Sequence, residues 1–98
     1  DAFSSAFRIR DELRAAGATV YGHDPYFSDE HIRSLGFEPY DLAAPMPVRG
    51  AIVQAGHAAY RSIDLGAIPG LQLLIDGRNA LDRATVEASG VAYLGIGR

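Results

Sequence analysis

The chain reads as an α/β domain with a mainly parallel sheet, and three observations carry that reading. Segments of helical period alternate with short apolar runs along all 98 residues, helix then strand four times over. The run Leu71 to Asp76, four apolar residues around one Gln, has the form of a buried strand that stops abruptly at the polar turn Asp76-Gly77-Arg78-Asn79. The composition, 48% hydrophobic and 21% charged with no internal repeat or low-complexity stretch, is that of an ordinary globular protein. This length makes one domain, large enough for a core.

The elements follow in order. From Ser4 to Ala16, the apolar residues Ala6, Phe7, Ile9, Leu13 and Ala16 fall largely at helical spacing, with Ser4 or Ser5 as amino cap and Gly17 as terminator. Ala18 to Gly22 is a strand centred on Val20 and Tyr21, stopped by His23-Asp24-Pro25. Ser28 caps a short helix to Leu35, with Asp29 and Glu30 in its first turn and Gly36 beyond its end. Phe37 to Val48 carries three prolines and no sustained period, which predicts a connector with at most one helical turn. Gly50 to Ala55 is the next strand, and Gly56-His57 occupies its end. Two brief helical turns, Ala58 to Ser62 and Asp64 to Ile68, lead through Pro69-Gly70 into the Leu71 strand. Leu81 to Ser89 is a helix closed by Gly90, and Val91 to Leu94 is a final strand before the tail Gly95-Ile96-Gly97-Arg98. The tail glycines make no dinucleotide fingerprint, since neither a helix nor a third glycine follows.

Several chemistries are excluded. A net charge of −3 gives no electrostatic case for nucleic acid or an anionic membrane. All nine basic residues are Arg, so neither a Schiff-base lysine nor a P-loop lysine exists in the chain. With no Cys, disulfides, thiolate metal sites and cysteine nucleophiles are absent too. No apolar run reaches membrane-spanning length and no signal-peptide pattern opens the chain, so the default expectation is a cytoplasmic protein. No catalytic or metal-binding residue is expected in the chain.

The candidate ligand residues lie at strand ends. In an open α/β sheet the carboxyl ends of parallel strands are where ligands sit, which points to Asp76, Gly77, Arg78 and Asn79. Gly77 allows close backbone approach, and Arg78 offers a planar fork of donors suited to phosphate or carboxylate. The competing reading is a strand-to-helix turn, with Asp76 or Asn79 capping the next helix and Arg78 a solvated charge. Asp24 is placed to receive a ribose hydroxyl or, alternatively, to bond its own turn. His57 is placed to donate to a phosphate or to serve in capping and packing.

Asp24-Pro25, Gly56-His57 with Tyr60 three residues on, Asp76-Gly77-Arg78-Asn79 and the closing Tyr93 to Arg98 occur in an order and spacing that resemble the carboxyl-terminal, UDP-binding domain of the UDP-glucose/GDP-mannose dehydrogenase family. The resemblance implies a three-layer, Rossmann-like domain that holds the uridine diphosphate half of a UDP-sugar, with Arg78 contacting the ligand. It implies a parent enzyme of polysaccharide biosynthesis that uses NAD, bound mainly by an amino-terminal domain, to oxidise a sugar alcohol to a carboxylate through a cysteine thiohemiacetal. Residues 1–98 would then be a fragment, inactive alone and needing no cofactor itself. Two departures accompany the resemblance. The family's opening central strand and its lysine are not in this sequence, and Phe3 stands where the family has an NAD-contacting arginine. The missing strand leads to the expectation that its two neighbours close up against each other, or that an open edge pairs with a second copy in a homodimer. The alternative reading is a degenerate interaction or oligomerisation module without ligand binding.

Overall fold

The computed structural model describes residues 2–95, with side chains from Ala6 onward. Contacts within the chain gather into two compact units, residues 1–44 and 45–98, and each is built from helices and parallel strands as expected.

The first unit contains α1 (Ala2–Ala15), β1 (Tyr21–Gly22), α2 (Asp29–Ser34) and β2 (Glu38–Pro39). Helix α1 begins before Ser4 and Ser5, so neither is its amino cap; the helix starts at Ala2, a good helix former. Gly17 and Gly36, both left-handed, end the two helices. Ser28 caps α2 as expected, its hydroxyl accepting from the His31 N–H at 3.1 Å. The carbonyls at the carboxyl end of α2 lack helical partners, and α1 supplies them: Arg10 donates to the Leu35 carbonyl and Arg14 to the Gly36 carbonyl. The Arg10 guanidinium lies 5.1 Å from the Phe7 ring centre and 5.3 Å from that of Phe37, so its charge rests on two aromatic faces. Ile32 and Phe37 are buried here.

Strand β2 was not expected, because Pro39 argues against a strand. The ladder needs no N–H from it: the donors are Glu38, to the Val20 carbonyl at 3.4 Å, and Tyr40, to the Gly22 carbonyl at 2.9 Å. β2 thus becomes the parallel partner of β1. Within the first unit these two short strands make a two-stranded parallel sheet. β1 thus finds a partner locally, across α2.

The second unit contains β3 (Gly50–Val53), two 3-10 turns at Ala58–Ser62 and Leu65–Ala67, β4 (Leu73–Asp76), α3 (Arg83–Ala88) and β5 (Ala92–Gly95). The strands form a parallel sheet in the order β3-β4-β5, in register at Val53, Asp76 and Gly95. Alternation sends Leu74 and Tyr93 into a core shared with Leu65, Leu71, Leu81, Val86 and Val91, while Leu73 and Leu94 are exposed. Because all three strands run the same way, their carboxyl ends bring the segments beginning at Gln54 and Gly77 to one edge of the sheet.

Candidate functional site

The turn after β4 is organised by Asp76, whose side chain has 0% exposure. Its Oδ1 accepts the N–H groups of Arg78 at 3.2 Å and Ala80 at 3.0 Å, while its Oδ2 accepts the Leu81 N–H at 2.7 Å and the Tyr93 hydroxyl at 2.8 Å. Burial pushes the Asp76 carboxyl up, but the bonds from Ala80, Leu81, Tyr93 and Arg78 outweigh that push and hold it below the usual carboxylate range. The residue that caps α3 is Asp82, which accepts the Thr85 N–H at 3.0 Å, not Asp76 or Asn79.

Gly77 is required by close approach. A Cβ there would stand 3.0 Å from the Val53 carbonyl oxygen, which already accepts the Gly77 N–H, and 3.2 Å from the Gln54 amide nitrogen. Gly95 is equally confined, since a Cβ would meet the Asn79 Oδ1 and the Tyr93 ring at 3.0 Å. Asn79 itself adopts a left-handed φ of 49°, a conformation Asn tolerates better than most residues.

Arg78 is exposed, yet its direction is set: Nε donates to the Gln54 carbonyl at 2.8 Å. Among the described residues, its terminal nitrogens make no hydrogen bond or ion pair. The fork is anchored at its base, and its tip is unengaged by any described residue, a form suited to an oxyanion at the sheet edge.

The other sequence candidates have defined surroundings. His57, half-buried at the end of the β3 loop, meets the Tyr60 ring edge-on at 5.4 Å and gives the following turn no side-chain cap bond. Asp24, in the first unit, is buried and accepts the Tyr26 N–H at 2.8 Å, forming a turn on its own backbone. The closing segment after Gly95 and the Phe3 side chain lie outside the described residues. Sequence reading missed Gln54, which acts through its backbone, and Tyr93, whose hydroxyl meets Asp76 only across the sheet. Asp82, an amino-cap residue type immediately ahead of the helix, was a legible cap signal.

The described residues hold no cluster of His, Cys, Asp or Glu able to bind a metal, and no helix long and apolar enough to cross a membrane. A sequence model of the UDP-glucose/GDP-mannose dehydrogenase family, UDP binding domain, matches residues 2–83. The chain belongs to this family. The match takes in Asp24, His57 and Asp76 to Asn79 and ends before Tyr93. Comparisons with curated proteins and with solved structures each returned no match.

Proposed function

We propose that this UDP-binding domain holds the diphosphate of a UDP-sugar at the carboxyl edge of β3-β4-β5, with Arg78 as the ionic contact. The observation that carries the reading is the exposed Arg78 side chain, fixed at Nε by the Gln54 carbonyl at the carboxyl edge of the sheet. Within the β4 turn the N–H groups of Arg78, Ala80 and Leu81 are taken by Asp76 and are not free to cradle a phosphate. Gly77 and Asn79 shape the turn, while His57, on the loop after β3, is a further ligand-edge candidate of this unit. The dehydrogenase family is NAD-dependent in general. The strand-end acids here do not fit a cofactor ribose, because Asp76 is filled by internal donors and Asp24 is turned onto its own backbone. In this reading NAD belongs to an amino-terminal partner domain, the parent oxidises a UDP-sugar in the cytoplasm for polysaccharide biosynthesis, and this chain alone turns nothing over. A homodimer formed at an open strand edge completes the reading.

The test is a calorimetric titration with UDP and a UDP-sugar. A charge-assisted bond contributes about 1.5–3 kcal/mol, so Arg78→Ala should weaken binding about tenfold or more. Absence of binding by the unaltered chain defeats the reading. It would favour the interaction module instead, a role consistent with two buried acids both engaged in their own turns.

A further inference from the structure

Tyr93 stands on β5, 17 residues from Asp76 in sequence, and a Phe there would fill the same apolar space. The hydroxyl is therefore the feature to explain, since burying one unpaired is unfavourable. It donates to Asp76 Oδ2 and also lies 3.3 Å from the Leu81 carbonyl oxygen. The opposite oxygen of Asp76 receives the Arg78 and Ala80 N–H groups, and Arg78 in turn reaches across to the Gln54 carbonyl. A continuous set of hydrogen bonds thus runs from β5 through the β4 turn to the end of β3.

We infer that Tyr93 is a positioning residue for Arg78, acting through Asp76. The hydroxyl completes the buried carboxylate and fixes its plane, so that Oδ1 faces the Arg78 and Ala80 amides. The backbone at position 78 is then set, and the guanidinium is presented from a preorganised turn. Deleting the hydroxyl leaves Oδ2 with one donor fewer in a dry site, and the carboxylate relieves this by turning, which loosens its hold on the Arg78 amide. The Arg83 guanidinium packs over the Tyr93 ring, 4.9 Å from its centre, and helps to hold it. The importance of this for ligand affinity rests on the proposed role of Arg78, whereas the mechanical coupling does not.

The experiment compares the full chain with Tyr93→Phe, Arg78→Ala, their double variant and Val91→Ala, a truncation of a buried apolar neighbour. Two readouts are taken: the NMR signal of the Arg78 Nε–H without ligand, and affinity for UDP. Tyr93→Phe should shift the Nε–H signal and speed its exchange with water, whereas Val91→Ala should leave it in place. UDP affinity should fall about three- to tenfold in Tyr93→Phe, and by less than twofold when the same change is made on Arg78→Ala. An unchanged Nε–H signal in Tyr93→Phe overturns the inference, as does an undiminished affinity loss on the Arg78→Ala background. A chain that does not bind UDP but shows the Nε–H shift sinks the ligand reading and supports the coupling. Should Tyr93→Phe fail to fold, exchange in the unaltered chain decides. The Arg78 Nε–H should open with the Arg78 and Ala80 amides, and exchange more than tenfold faster than theirs overturns the inference.

Discussion

A buried carboxylate that stays charged makes the stability of the β4 turn depend on pH. Because hydrogen bonds to the ionised form hold Asp76 below its unfolded value of about 3.9, the sign is set: the stabilisation is full above that value and is lost as pH falls through the lower, folded one. Asp76→Asn should therefore destabilise the chain by about 2–4 kcal/mol at neutral pH, since an amide cannot accept on both sides. Its deficit against the unaltered chain should shrink as pH falls below about 4. Denaturant midpoints measured across that range check both points, and a deficit that stays constant with pH contradicts the assignment. The charge pattern alone could not reveal this residue's environment. Asp76-Gly77-Arg78-Asn79 announces a polar turn, and the same letters serve an acid that meets ligand or one that ties its own loop. What separates the two readings is the Tyr93 hydroxyl, supplied by a different strand.

Among the elements, short helices depend on their ends. Helix α3 has six residues, too few to be stable by propensity, and Asp82 engages both the Thr85 N–H and the Thr85 hydroxyl at its start. Asp82→Ala should cost about 1 kcal/mol, read as a lowered denaturant midpoint with UDP affinity preserved. Gly77→Ala should do the opposite. With the Cβ crowding the Val53 carbonyl, the ends of β3 and β4 must give by a few tenths of an ångström, which disturbs the alignment of Arg78 with the Gln54 carbonyl. Its expected signature is UDP binding weakened about as far as in Arg78→Ala, with most secondary structure kept in circular dichroism. Helix and strand positions were largely legible because apolar spacing and cap residues are local signals. Strand β2 was not, because Pro39 conceals a pairing whose donors are its two neighbours.

For the whole molecule, the second unit depends on a small core, in which Leu74 and Val86 are each 2% exposed. Leu74→Ala should cost about 2–5 kcal/mol, a large share of the stability of so small a protein, and should abolish a cooperative unfolding transition at physiological temperature. With neither cysteine nor lysine in the chain, the purified protein given UDP-glucose and NAD should yield no reduced cofactor. Turnover would defeat the division of labour proposed for the parent enzyme. Sedimentation equilibrium tests the homodimer, and a monomer at all accessible concentrations removes it from the reading.

The sequence by itself determined the α/β class, the parallel strands, the family and the polar turn that follows the Leu71 run. Those are written in period, in cap residues and in the order of short motifs, all of which act over a few neighbouring residues. Only the tertiary structure decided that Asp76 faces inward, that Gln54 holds Arg78 by its backbone and that β1 pairs with β2. Each of these depends on groups brought together from distant parts of the chain. A hydrogen bond depends on where its partner is, and that position is fixed only when the sheet has formed.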